Sequence, residues 1–435
     1  MIEIAAVAGA LVVAGGAALF VRFPCTMVPA LLVVAPLRLP LATNPANPLL
    51  FEFVGGGALG RLYPLYVVLV PAVIATIWRM ARRRSFRRIP AEIAVPGAVL
   101  LGLACLSLLW SADPPGTVNA LIFFWLPFAL LFGVVSQSPI SPRLTRTLGV
   151  IVVASASVFA VIGIWEAISH RLIFYTPALA IVNAHGPLFR VTAVFQDPSH
   201  LGRYLVLAIA VIFVALWLSR LKVAAGAALV VLLAAGLYVS YSQSSMVSMV
   251  VVLLALAIVA GDQASRRVAI VVCVVIALAG VGGLIYGATT GRLADFTRQR
   301  SRLAIDTTQV ALAHPLGGVG LGAQAVVTRA EQNPGENVDR NASHTTPATV
   351  AAELGVFGLL AYLALLVGLA RALKRVRPRD EALALGLGAG LLLLVVHSLF
   401  YGGFFDNPIV WGAMGLTAGA GALARPRPEP EAGVS

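Results

Sequence analysis

The chain has 435 residues, of which 59% are hydrophobic and only 11% charged, and its mean hydropathy is +0.93. Soluble domains carry about 25% charged residues, so the composition excludes a string of soluble globular domains. The net charge of +13 does not point to nucleic acid, because most basic residues stand in short clusters between apolar runs, where the positive-inside rule wants them.

A membrane-spanning helix needs about 20 mostly apolar residues. Candidate spans cover roughly 4–20, 24–41, 62–80, 93–110, 119–135, 148–168, 201–218, 223–240, 245–260, 268–286, 347–370, 382–399 and 408–423. The expected fold is an all-α polytopic membrane protein, a single transmembrane domain over 1–435 with 12–13 transmembrane helices. The lower number applies if the run interrupted by Pro29, Pro36 and Pro40 does not cross. The first run begins with Glu3 and lacks the basic n-region of a cleavable signal peptide, so it is expected to remain. Cys25, Cys105 and Cys273 sit in or beside apolar stretches, at a spacing that fits neither a metal site nor a redox pair.

Charge sets the orientation. Six arginines lie in 79–88, followed by Arg143 with Arg146, Arg220 with Lys222, Arg266 with Arg267, five basic residues in 371–379, and Arg425 with Arg427. If the spans alternate, these fall on one side, and with Arg22 they make 20 of the 31 basic residues. The rule makes that side cytoplasmic, which leaves 169–200 and 287–346 as the long extracytoplasmic loops. A structureless loop of about 60 residues is uncommon unless it has a function. Trp78, Trp110, Trp165, Trp217 and Trp411 fall near span ends, as an interfacial aromatic belt requires. All six histidines, at 170, 185, 200, 314, 344 and 397, lie at or near the outer face in this topology.

Three outer span ends share a design: Asp197-Pro198, Thr346-Pro347 and Asn407-Pro408. A polar N-cap before Pro at the first helical position starts a helix well, and such N-termini bind phosphate readily. The bland alternative is capping with no ligand. Arg190 and Arg203 flank the first cap, and Arg298, Arg300 and Arg302 crowd the large loop. Guanidinium suits bidentate phosphate recognition; for Arg203, snorkelling to the interface is the alternative. The segment 291–313 reads as an amphipathic interfacial helix, with Leu293, Phe296, Leu303, Val310 and Leu312 recurring between basic residues. The glycines of 317–322 permit a tight turn beside a ligand.

His344 immediately precedes the Thr346-Pro347 helix start, whose dipole disfavours imidazolium. A neutral histidine can accept a proton from a hydroxyl as a general base. Glu353, two turns into the helix, either orients His344, pairs with an arginine across the bundle or serves structure alone. Glu166 and His170, four residues apart, are expected to share a helix face. The loops hold no Asp/Glu cluster with metal spacing, so no metal and no cofactor are expected.

At these residues the chain resembles the O-antigen ligase and O-antigen polymerase family. Arg190-Val-Thr-Ala-Val-Phe-Gln-Asp-Pro-Ser199 is similar to the family's Arg…Gly-x-Phe-x-Asn-Pro-Asn segment before a central helix. Arg302 with His314-Pro-Leu-Gly-Gly-Val-Gly320 is similar to Arg…Pro-Leu-x-Gly-x-Gly, and His344 with Glu353-Leu-Gly-Val-Phe-Gly358 to His-Asn…Glu-x-Gly-x-x-Gly. The likeness covers roughly 185–420. It departs at Thr345, where Asn is common, and at Ser242-Gln-Ser-Ser245, where Ser-Arg-Gly is common.

The resemblance implies an inverting, metal-independent glycosyltransferase in the bacterial inner (cytoplasmic) membrane with its site facing the periplasm. The implied donor is a glycan on a polyprenyl (undecaprenyl) diphosphate, and the implied acceptor a glycan or glycolipid, with the bilayer as the other partner. It also implies that Arg190 and Arg302 hold the diphosphate and His344 lies at the transfer centre. A diphosphate already leaves well, so the reaction needs charge stabilisation, positioning and one base. Two rivals remain: a peptidoglycan polymerase of the shape, elongation and division type, expected to use an acidic loop residue, and a lipid-linked oligosaccharide flippase or other transporter. Transporters tend to show internal repeats and midplane charges; no repeat is visible here.

Overall fold

The computed structural model describes residues 2–37, 64–83, 86–173, 177–186, 188–195, 197–290 and 300–424, and no strand occurs among them. The first two helices, α1 (Ile2–Arg22) and α2 (Met27–Val34), meet at a 109° bend across a short 3-10 turn opened by Pro24. The runs expected at 4–20 and 24–41 are therefore one bent unit. Proline has no N–H to continue a helix, and α2 stops after two turns. Ten helices of the described chain are long and apolar enough to cross a membrane, or 11 with the bent pair. The all-α polytopic architecture stands, and counting the bent pair as one span and the shorter helix Pro408–Leu423 as another brings the described helices to 12, the lower of the two expected numbers.

The remaining helices follow in order. They are α3 (Pro64–Arg83), α4 (Ala91–Leu106), and α5 (Pro114–Ala120), which runs through a π turn at Leu121–Trp125 into α6 (Leu126–Gln137). Next come α7 (Pro142–Ser169), α8 (Pro177–His185), α9 (Pro198–Trp217), α10 (Val223–Ser240), α11 (Gln243–Ala260) and α12 (Gln263–Thr289). The chain closes with α13 (Arg300–Ala313), α14 (Gln324–Gln332), α15 (Thr346–Val376), α16 (Glu381–Ser398) and α17 (Pro408–Leu423). The last has 16 residues, short for a span. Central α9 and α16 are the most enclosed, whereas only 6% of the apolar stretch of α12 is buried and it packs chiefly against α11.

Connections that alternate in sequence gather on two faces. On one, the Arg87 guanidinium donates to the carbonyls of Ser136 and Ser138, Arg375 pairs with Glu92, and Thr145 Oγ1 donates to Asp380. Arg87, Arg143 with Arg146, and the basic residues of 371–379 thus share a side. The other face, the loop face, brings together described residues of 169–200, 300–345 and 399–407, with the rings of His200 and His344 both against Tyr401. The amphipathic segment is helical over Arg300–Ala313, and its earlier part, 291–299, lies outside the described residues. Val310 and Thr307 turn inward, while Ile305 and Leu312 are exposed.

Helix α15 breaks at Gly355, whose φ of 66° and ψ of −168° are not helical. A break frees backbone groups that lipid cannot satisfy, and the glycine-rich loop supplies their partners. Val319 N–H donates to Ala352 O at 2.8 Å, Gly320 N–H to Glu353 O at 3.0 Å, and Val356 N–H to Pro315 O at 2.8 Å. The loop's other side meets the 107–117 turn: Ala112 N–H donates to Val319 O, Ser107 Oγ accepts from Leu321 N–H, and Thr117 Oγ1 donates to Leu321 O at 2.6 Å. The close approach that these glycines permit is to the chain's own backbone.

Two outcomes test this architecture. Gly355→Ala forces a side chain into a positive-φ, extended-ψ region that is essentially glycine-only, costing about 1–3 kcal/mol, and adds a Cβ that clashes with the Leu316 carbonyl. It should lower Tm in detergent and open 315–322 to protease, while Gly386→Ala, which meets open space, should do neither. With the three native cysteines replaced, the charge bias predicts that exposed Ala330→Cys labels with an impermeant maleimide in intact cells. Arg266→Cys should label only after permeabilisation, and the reverse pattern overturns the orientation.

Candidate functional site at the loop face

The lead-in to α9 is held by Glu166. Its buried carboxylate accepts N–H groups from Ile173, Thr192 and Ala193 at 2.8–2.9 Å. A buried carboxylate requires such partners, and here they staple 173 and 190–195 to the end of α7. His170 does not share that role: α7 ends at Ser169, and His170 takes a left-handed conformation (φ 53°) and packs on Phe189. The backbone of Arg190 is clamped by Asn183, whose amide bonds its N–H and carbonyl at 2.9 Å each. Arg190 Nε is buried and has no hydrogen-bond partner among the described residues.

Two of the three N-caps form as expected: Asp197 Oδ1 accepts from Ser199 N–H at 2.6 Å, and Asn407 Oδ1 from Ile409 N–H at 3.0 Å. The third, expected at Thr346, does not: the helix begins at Thr346 itself, whose hydroxyl is buried without a partner among the described residues, and the hydroxyl of Thr345 before it donates to Leu399 O. Two turns into α9, Arg203 is 9% exposed. It faces inward beside His397 of α16, not outward to lipid. Arg203 and His200 line a narrow cleft with Phe195, Tyr204 and Asn407.

His344 sits where three loop-face segments meet. Gln324 fixes its backbone: Oε1 accepts from Ser343 N–H at 2.9 Å, while Nε2 donates to Asn341 O, Thr328 Oγ1 and Thr307 Oγ1. One buried amide thereby ties α13, α14 and the approach to His344. The imidazole stacks on Tyr401 at 6.1 Å and 13°. Its pKa is pulled below the ordinary value first by burial and then by the positive charge of Arg300, with Asp197 acting in the opposite direction. The neutrality expected from the helix dipole thus has a different principal cause.

The loop arginines divide. Arg300 acts electrostatically on both His344 and His397. Arg302 turns to Glu336 at 2.8 Å and Asp306 at 3.6 Å, and Arg298 lies outside the described residues. Glu353 faces the backbone N–H groups of Gly322 and Gln324, with Asp406 nearby, so its carboxyl group anchors the glycine loop beneath the site. Sequence reasoning gave no signal for Tyr401 or Gln324; both matter through contacts distant in the chain. Of the eight buried side-chain polar atoms without a partner among the described residues, those of Ser169, Arg190, Thr192, Thr346, His397 and Asn407 lie at the loop face. Among the described residues no three His, Cys, Asp or Glu side chains group as a metal-ligand set.

The protein is thus a multi-pass helical membrane protein with a basic, histidine-bearing site at the face of its large loop. Residues 228–363 match the family model described as O-antigen ligase, and the resemblance to the O-antigen ligase and polymerase family is shown over that segment. It contains Arg300, Arg302, His344 and Glu353, while Arg190 and Arg203 precede it. No curated protein matches the chain.

The site's charges can be tested through His344. Arg300→Gln removes a cation and should raise its pKa, whereas Asp197→Asn removes an anion, keeps a capping side chain, and should lower it. The pH dependence of His344 modification by diethyl pyrocarbonate, read by peptide mass spectrometry, should shift in those opposite directions; unchanged midpoints in both variants overturn this electrostatic account.

Proposed function

We propose that the protein is an inverting, metal-independent glycosyltransferase of the O-antigen ligase or polymerase type. It would transfer a glycan from a polyprenyl diphosphate to an acceptor glycan or glycolipid at the outer face of the cytoplasmic membrane. The observation that carries this reading is a neutral-leaning His344 beside Arg300 and Asp197, at a face where Arg203 is enclosed and Arg190 is half-buried. The family match supports the same reading.

His344 takes the proton of an acceptor hydroxyl, and the oxygen attacks the anomeric carbon from the side opposite the diphosphate. The glycosidic C–O bond forms as the bond to the phosphate oxygen breaks, and the diphosphate leaves with the electron pair. Arg190, Arg203 and Arg300 stabilise its charge. Arg302 joins them if the donor displaces Glu336, an exchange of one anion for another that guanidinium accommodates well. Glu353 acts from beneath, by holding the loop backbone. The separation of basic side chains from midplane helix positions favours this over a transporter.

His344→Ala should retain expression and membrane insertion yet lose transfer, since general-base loss is worth about 10²–10⁴-fold. Arg190→Ala and Arg300→Ala should each remove a charged hydrogen bond worth roughly 1.5–3 kcal/mol, with lysine restoring only part. The assay uses purified protein, an undecaprenyl-diphosphate-linked saccharide and chelator throughout. Robust transfer by His344→Ala, or abolition of wild-type transfer by chelator, overturns the reading. In a deletion strain, accumulated single repeat units indicate a polymerase and accumulated full-length carrier-linked chains a ligase.

A further inference from the structure

We propose that Tyr401 is the positioning residue of the transfer site, its ring setting the plane of the His344 imidazole; the inference rests on the role just given to His344. Tyr401 follows α16 in the short connection to α17 and is packed by three imidazoles from three segments. His344 of the large loop stacks at 13°, His200 of α9 meets it edge-on at 5.4 Å and 76°, and His397 of α16 lies at 5.7 Å and 53°.

The imidazole of His344 needs such a partner. Its backbone is immobilised by the Gln324–Ser343 bond, by Thr345 Oγ1 donating to Leu399 O, and by Gly402, where a Cβ would come within 2.7 Å of Ser343 O. Its side chain makes no hydrogen bond to another described residue in the structure's bonding network, so two torsions would otherwise be free. A stacked ring restricts both. Tyr401 is itself anchored: its N–H donates to His397 O at 2.9 Å, and His397, fully buried, bonds Ser244 Oγ of α11 through Nε2 at 3.2 Å. The sequence of contacts Ser244–His397–Tyr401–His344 links the bundle interior to the base. The charged groups around it are Arg300 from α13, Asp197 and Arg203 from α9, with His200 and His397 as the other titratable neighbours. Misplacing a catalytic group by about 1 Å can lower a rate about 10²-fold, so the plane of this ring is a functional quantity.

The test compares Tyr401→Phe, which keeps the ring, with Tyr401→Leu and Tyr401→Met, which remove it. The probe is diethyl pyrocarbonate, and the readout is the pH-independent limiting rate at which the His344 peptide is modified, which requires no substrate. Wild type and Tyr401→Phe should agree within about twofold, and the aliphatic variants should react at least about fivefold faster. In the transfer assay, the aliphatic variants should lose about 10–100-fold in kcat with donor KM within about threefold, and Tyr401→Phe should retain activity. Equal modification rates in all variants overturn the proposal, as does a kcat in the aliphatic variants equal to wild type. Failure of both aliphatic variants to fold while Tyr401→Phe folds would assign the ring a structural role and overturn it too. The two readings separate cleanly: an active His344→Ala defeats the base assignment even if Tyr401 controls His344 reactivity. An inactive His344→Ala with indifferent Tyr401 variants defeats only this inference.

Discussion

A helix interrupted within a membrane protein must find partners for the backbone groups it frees, because hydrocarbon offers none. At Gly355 that requirement is met by residues 315–320, and much of the loop face follows from it. The loop that answers the break also bonds the 107–117 turn, so α4 and α5 on one side and α15 on the other share one connection. Gln324, just past the loop, then bonds α13 and Ser343. The position of His344 is a consequence of how a broken helix was repaired.

The same geometry governs the charges. Arg203 is enclosed among packed helices, where guanidinium keeps its proton and cannot relieve the field by titrating. Histidine can, and His344, beside Arg300 and partly shielded from water, favours its neutral form. Cationic side chains and a neutral imidazole coexist because the same surroundings disfavour both charged forms, but guanidinium starts many pH units above neutrality and imidazole starts close to it. Arg302, two residues from Arg300, is held by Glu336 and Asp306. A candidate phosphate ligand and an ion-paired arginine thus differ by a rotation of roughly 200° around a helix.

That last distinction shows where the sequence is silent. Composition and apolar run length make the helical membrane class readable, and Asp197 and Asn407 cap their helices as their residue types require. The candidates for the site were readable as residue types, since histidines number only six and three helix starts pair a polar residue with proline. Facing was not: which of Arg300 and Arg302 turns toward His344 depends on how α13 packs on α15. Nor was the turn at Phe23–Thr26, because hydropathy measures how apolar a run is and carries no information about its direction. Tyr401 and Gln324 belong to the same class of omission, since their partners lie 57 and 19 residues away in the chain, at His344 and Ser343.

Helix α12 has a different implication. With 6% of its apolar stretch buried and α11 as its chief neighbour, almost every side chain answers to lipid alone. Its residues are selected for partitioning, not for fit, so exchanges among Ile, Val, Leu and Ala there should drift freely in the lineage. Among the described spans it has the smallest buried share, which makes it the natural place to attach a reporter.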